Sequence, residues 1–255
     1  MPFNMPIVLP RDTILDPLNA TSPPDHWMRA NIGSDLNTSF TWFDLTGNGV
    51  NCTKGANSTQ FHNANAVNGY GVTNFNDATD YSFWNVGFGH NTSWTWMCLM
   101  QVTTNGYIFH DIEEDDGDIQ GGSRIYRTAT TGIELRHYNT SGTSVSVCTG
   151  TLNSPSTWGS DYHLIAITYD GASSRDCFIY QNGVQIGTAS AMSISGVSSS
   201  SGDEWGAVYD DKDEDRSGNA HKRIREAMWW DSVLSTSDRE EIEDDYFSVK
   251  YNLGL

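Results

Sequence analysis

Two acidic runs hold the side chains best suited to chemistry. In the second of them, Tyr209 to Asn219, the residues Asp211, Asp213, Asp215 and Ser217 alternate at positions 1, 3, 5 and 7 of the segment. A hard cation such as Ca²⁺ takes about six to eight oxygens, and alternating carboxylates on a turning loop supply several of them. An EF-hand loop would carry glycine at its sixth position and a bidentate glutamate at its twelfth. Here Arg216 and Lys222 stand in those places. The first run holds Asp111, Glu113, Glu114, Asp115, Asp116 and Asp118, is interrupted by Gly117, and reads as a loop that offers a second cation site through Asp111, Glu113 and Asp115. Both runs read equally as solvated loop tips of a very acidic chain.

Catalytic spacing is sparse. A retaining glycosidase needs two carboxyl groups about 5–5.5 Å apart. The cluster from Glu113 to Asp118 is the only comparable group, and its interrupting glycine argues against a strand that would hold such a pair. Glu134 stands in a strand-like run beside Arg136, His137 and Tyr138, a faint echo of a His/Tyr lyase site that packing explains as well. No G-x-S-x-G, H-E-x-x-H or phosphate-cradling loop occurs. For sugar binding the useful groups are aromatic faces near loops. Trp158, Tyr126 and Tyr209 are the candidates, with Tyr107 and Trp205 beside them, and each serves equally as core or rim packing.

The elements that must position these residues are strands. In Tyr162–Ser190, Ile165, Ile167 and Tyr169 alternate with the period of a half-buried strand, and Asp170-Gly171 breaks the run. A second strand runs from Cys177 to Tyr180, and Asn182-Gly183 supplies the two positive-φ residues of a tight hairpin into Val184–Ile186. Trp94 to Thr103 is a near-continuous apolar run, as expected at the centre of a sandwich. Tyr107 to His110, Gly132 to Tyr138, Thr143 to Cys148 and Ile224 to Asp231 complete the rhythm of short strands. One helix closes the chain: Ser235 is its N-cap, with Asp238 three residues on, and Ile242, Tyr246 and Val249 make one apolar stripe. At the other end, six of the seven prolines fall in the first 24 residues, which forbids a helix there. That stretch is either a lead-in lying on the chain's own sandwich or an arm that docks on a neighbouring subunit.

At 255 residues the chain is long enough for one large sandwich with its own core. Its 32 Asp and Glu against 14 Lys and Arg give a net charge of −18, which argues against nucleic acid and anionic membranes as partners. Cys52, Cys98, Cys148 and Cys177 form no C-x-x-C pair, so zinc is not expected, and free thiols are favoured over disulfides. No stretch approaches the roughly 20 apolar residues of a membrane span. The first residues lack a basic segment followed by a long apolar one, so no Sec signal peptide is read here.

Several of these segments resemble one superfamily when taken in order. The strand–turn–strand–Asn-Gly–strand run of Tyr162–Ser190 is similar to that of the concanavalin A-like lectin/glucanase sandwiches of the laminin-G type. Upstream, Trp27 to Ala30 followed by Trp42, Asp44, Thr46, Gly47, Asn48 and Gly49 resembles that family's opening element. Phe75 and Asp80-Tyr81 match its next strand and loop, with Asn76-Asp77 where an Asp-Gly pair is usual. The tail from Arg223 to Leu253 resembles its closing strand and helix. The resemblance covers roughly Trp27 to Leu253 and implies an all-β fold: a two-sheet antiparallel β-sandwich (concanavalin A-like jelly roll) with one short C-terminal helix. Residues 1–25 then form an extended Pro-rich N-terminal arm and residues 26–255 a laminin-G-like jelly-roll domain. The resemblance also implies a Ca²⁺ site at the sandwich rim and a non-catalytic carbohydrate-binding or adhesive role. Met1, the absence of a signal and the arm point to a virion surface, as a decoration, fibre or receptor-contacting protein, or to an extracellular setting. The expected partners are a glycan or cell-surface polysaccharide, other virion subunits reached through the arm, and further copies of the chain in a homo-oligomer. The competing expectations are a polysaccharide-active enzyme of the same fold, lyase or hydrolase, and a secreted lectin whose leader is missing.

Overall fold

A computed structural model describes residues 14–30, 41–49, 51–54, 60–67, 70–75, 82–83, 86, 88–115, 118–153, 158–159, 161–197 and 222–253. Among the described residues fifteen strands run in this order: β1 (His26–Arg29), β2 (Thr41–Trp42), β3 (Cys52–Lys54), β4 (Gln60–Val67), β5 (Tyr70–Phe75), β6 (Ser82–Phe83), β7 (Ser93–Val102), β8 (Gly106–Asp115), β9 (Asp118–Arg127), β10 (Gly132–Tyr138), β11 (Ser144–Thr151), β12 (His163–Asp170), β13 (Cys177–Gln181), β14 (Val184–Ala189) and β15 (Lys222–Trp230). Twelve belong to one antiparallel sheet ordered β4-β5-β15-β7-β12-β13-β14-β11-β10-β9-β8, with β1 added on β15; β2, β3 and β6 form a small second sheet. The two layers of the expected sandwich are therefore halves of one curled sheet. They join at a single residue pair, Gly150 with Gly187. A Cβ on Gly187 would lie 2.5 Å from the Thr149 carbonyl oxygen, so only glycine permits this approach.

Between the layers lies a core rich in tryptophan. Trp94 stacks on Trp229 at 5.2 Å, and Phe88 packs on Trp94 at 4.9 Å and on Phe109 at 4.2 Å. Trp42, Trp96 and Trp158 are also fully buried. Each such ring removes about 150–250 Å² from water, or roughly 4–6 kcal/mol of transfer free energy at 25 cal/mol/Å². The central strands are buried on both faces. In β12 the set Ile165, Ile167 and Tyr169 meets this core, while Leu164 and Ala166 join a second cluster with Met97, Leu99, Met228 and Trp230. The C-terminal helix covers that second cluster, so β12, expected from its alternation to be half-buried, is buried on both faces like β7 and β15. Cys98, Cys148 and Cys177 are free thiols inside the core, and Cys52 is buried as well.

The helix departs from its expected register. Ser235 accepts from the Asp238 amide at 3.2 Å, as the capping pattern requires. After Thr236–Glu240 the chain winds as a π-helix through Glu241–Ser248 and returns to α-geometry at Val249–Tyr251. A turn closed i→i+5 holds more residues than one closed i→i+4. The buried stripe is therefore Ile242, Tyr246, Phe247 and Tyr251, and Val249, expected to be buried, is 49 % exposed.

Two further expectations change. The first acidic run is not a loop: Asp111, Glu113 and Asp115 lie on β8, paired with β9 through Asp111 to Ser123, Glu114 to Ile119 and Asp115 to Asp118. At the other end, where the sequence left open a lead-in lying on the chain's own sandwich or an arm docked on a neighbour, residues 14–25 lie on the chain's own helix. The Leu15 amide donates to the Asp245 carbonyl at 3.3 Å, the Thr21 amide to Glu241 Oε2 at 3.0 Å, and Ser22 Oγ to Asp238 Oδ2 at 3.0 Å. Residues 1–13 lie outside the described residues.

Candidate binding site

The sequence candidates do not assemble into one site. Tyr209, Asp211, Asp213 and Asp215 lie outside the described residues. Among those described, no group of three or more His, Cys, Asp or Glu side chains is arranged to hold a metal ion. Trp158 offers no face to a sugar: it is fully buried, its indole N–H donates to the Gly132 carbonyl at 3.1 Å, and its ring packs on His163. Tyr126 is half-buried under the Arg124 guanidinium, which sits 4.7 Å from its centroid and 4.4 Å from that of Tyr138. The lyase echo separates too. Glu134 accepts from Arg136 Nε at 2.5 Å on one face of β10. His137 points into the core on the other face, fully enclosed, with Nδ1 2.8 Å from Ser123 Oγ. Burial, with His90 nearby, pushes its pKa down to about 3, so it stays neutral and out of reach of a substrate.

The structure instead builds a cavity of about 640 Å³ where the first strand, the last strand and the final helix meet. Beneath its lining residues Trp27, Tyr246 and Lys250 lies an ionic cluster around Glu226 of β15, which supports the floor. The glutamate is fully buried and accepts from the Trp27 indole N–H, from Tyr246 Oη at 2.5 Å, from the Tyr251 hydroxyl and from Lys250 Nζ at 3.0 Å. A buried carboxylate is tolerated only when paired and fully hydrogen-bonded, and these four donors meet that condition. Next to it, Arg225 is also fully buried. It donates to the carbonyls of Ala30 and Gly71, the latter at 2.7 Å, and through Nε to Tyr251 Oη at 3.0 Å. Its guanidinium lies 5.0 Å from the Tyr70 ring centroid.

Arg29 completes the positive side. It stacks 5.3 Å from the Trp27 ring, its Nε is buried with no hydrogen-bond partner, and it has no carboxylate within ion-pair distance among the described residues. Lys250 reports the local field: burial pushes its pKa down to about 8 against the pull of Glu226, with Arg29 and Arg225 adding to the fall. Burial also drives the Tyr246 and Tyr251 phenols far above their usual range, so both remain neutral donors. The outer wall is the strap Ile14–Leu18, where Ile14 and Leu18 expose apolar surface and Asp16 caps its own turn by accepting from the Leu18 amide at 3.2 Å. Leu45 and Tyr70 close the sides. Leu45 is fixed by its amide N–H, which donates to the Trp27 carbonyl at 2.7 Å, and Asp44 clamps the same loop by accepting from the Trp27 amide at 3.0 Å. This arrangement supplies donors, aromatic faces and positive charge. Its one buried carboxylate is covered by its own donors, so the chemistry it offers is binding.

None of these lining residues was singled out by sequence as functional. The signal that could have found them is Arg225-Glu226, a charged pair inside the otherwise apolar run Ile224–Trp230. Charges in a strand buried on both faces must find partners, and here they come from Trp27, Tyr246, Lys250 and Tyr251.

No family model matches the sequence, and no curated protein matches it. Comparison with solved structures shows the fold. The receptor binding domain of botulinum neurotoxin type G superposes with a TM-score of 0.60 at 13 % identity, over 88 % of this chain and 51 % of that one. The binding domain of Paraclostridial Mosquitocidal Protein 1 gives 0.57 at 17 % identity, over 81 % of this chain and 50 % of that one. A Trypanosoma rangeli sialidase in complex with sialic acid gives 0.52 at 12 % identity, over 86 % of this chain and 32 % of that one. The chain spans about half the length of the two binding domains. At these identities the likeness is one of fold, a β-sandwich of jelly-roll type.

Proposed function

We propose that the chain is a non-catalytic recognition module of the concanavalin A-like, laminin-G-like kind, and that it binds a saccharide in the cavity beneath residues 14–18. The observation that carries this reading is the cavity itself. Its volume falls within the roughly 300–1,000 Å³ of small-molecule sites. It sets the half-exposed ring of Tyr70 in the same pocket as the Arg29 guanidinium, an aromatic face and a donor group of the kind that hold a sugar. Support comes from the structural neighbours described as binding domains and from the sialidase solved with a bound sugar. A virion or other extracellular surface is the setting that such a module and its Pro-rich N-terminus fit, and it belongs to the same proposal.

The test is a panel of neutral and acidic oligosaccharides screened by saturation-transfer NMR on the whole chain. Binding that weakens about tenfold in Tyr70→Ala, a loss of about 1.4 kcal/mol, is the expected result. Binding unchanged in Tyr70→Ala, or no binding across the panel, refutes the cavity as a saccharide site. Formation of new reducing ends or unsaturated product would replace the recognition reading with the enzyme one.

A further inference from the structure

Three of the chain's 14 Lys and Arg line this one cavity, against 32 acidic residues in the chain as a whole. The two nearest carboxylates do not cancel them evenly. Glu226 is shared among four donors, with Lys250 as its ion-pair partner. Asp16 stands on the rim and is turned into its own cap. Arg225 is spent on two carbonyls and a phenol. Arg29 is the cation left over: its guanidinium carbon lies 5.3 Å from the Trp27 ring centroid, its Nε–H is buried without an acceptor, and no carboxylate among the described residues pairs with it. A buried donor with no acceptor is costly, and a guanidinium is shaped for the two oxygens of a carboxylate.

We infer that the ligand of this pocket is an acidic saccharide, whose carboxylate pairs with the Arg29 guanidinium while Arg225 and Lys250 supply the surrounding positive field. The inference rests on the saccharide reading above and adds the charge and its partner. The carboxylate pairs with the Nη edge of Arg29, because the buried Nε presents no surface to the pocket. The sugar ring then lies toward Tyr70 and the apolar strap Ile14–Leu18.

The experiment compares a glucuronate-containing disaccharide with its carboxyl-reduced counterpart by isothermal titration on the intact chain. The inference expects the acidic form to bind about 10- to 100-fold more tightly, the range of one charge-assisted hydrogen bond pair. Arg29→Met should abolish that difference, and Arg29→Lys, which keeps the charge without the fork, should retain only part of it. Circular dichroism of both variants checks that the fold survives, and the comparison of the two disaccharides on the unaltered chain needs no variant at all. Equal affinity for both disaccharides overturns the anionic inference and leaves the saccharide reading standing. Competition by acetate alone, with no contribution from the sugar, upholds the carboxylate site and overturns the saccharide reading. Absence of binding by either disaccharide and by acetate overturns both.

Discussion

Replacing Glu226 with glutamine keeps the shape of the pocket floor and removes its only negative charge. In the folded chain this carboxylate is fully buried and accepts from Trp27, Tyr246, Tyr251 and Lys250. The amide retains one oxygen but turns an N–H₂ toward donors that have no other acceptor. Lys250, whose side chain is 6 % exposed, becomes a buried ammonium beside Arg29 and Arg225 with nothing to balance it. Removing one partner of a buried ion pair costs about 3–5 kcal/mol. The hydrogen bonds share a single acceptor, so their losses overlap and do not add. The expected cost of Glu226→Gln is therefore about 3–5 kcal/mol, or a fall in Tm of roughly 6–20 °C for a domain of this size. Urea denaturation at constant m-value measures it.

Proton release from Lys250 limits that cost, and this gives the prediction a second dimension. In the native chain Lys250 titrates at about 8 when folded and near 10.5 when unfolded. Between those values the unfolded state binds more protons, so this group makes stability rise with pH across that window. Without Glu226 the folded pKa drops further, and the rise begins lower. The gap between native and variant should be widest near pH 6, narrow as the pH approaches 8, and stay constant above it. In a Lys250→Met background, Glu226→Gln should cost about 1–2 kcal/mol, because no stranded charge remains. A cost below about 1 kcal/mol at pH 6, or an equal cost in both backgrounds, would refute the account of the floor as a charge pair.

His137 titrates at about 3 when folded against 6.5 when unfolded, so it contributes stability that is lost as the pH falls from 6.5 toward 3, by up to about 1.4 kcal/mol per pH unit. Denaturation midpoints at pH 7 and pH 4 should fall less on acidification in His137→Phe than in the native chain. Gly183 has φ +78° in the turn between β13 and β14, and Gly183→Ala should cost about 1–2 kcal/mol by thermal denaturation although the nearest atom, Glu243 Oε2, is 3.6 Å from the new Cβ. In the π-wound part of the helix and just beyond it, Phe247→Ala should cost about 3–5 kcal/mol and Val249→Ser less than about 0.5 kcal/mol; comparable costs would mean that the helix keeps the α-register.

The contrast between Phe247 and Val249 marks where local pattern stops carrying information. The strands of this chain were legible because alternation and the Asn182-Gly183 turn are set by residues within a few positions of one another. Two-sided burial was legible only in the apolar run of β7, and β12 read as half-buried alternation, since the sequence does not say which element covers the second face. Once the helix covers it, the packing of Ile242, Tyr246, Phe247 and Tyr251 on Met97, Leu99 and Trp230 selects the wider winding, and propensity over eight residues cannot report that choice. The pocket is the same problem at longer range. Trp27 meets Glu226 across a separation of 199 residues, and Arg225 meets Ala30 across 195. The candidates chosen by residue type, Trp158 above all, were drawn toward aromatic and acidic abundance, which here serves the core and the strand surface. What did mark the site was a violation of local consistency: an arginine and a glutamate side by side in a strand otherwise fit for burial. Such a pair persists in a core only where distant elements converge to satisfy it, so its presence in Ile224–Trp230 already implied a polar junction between the two ends of the chain.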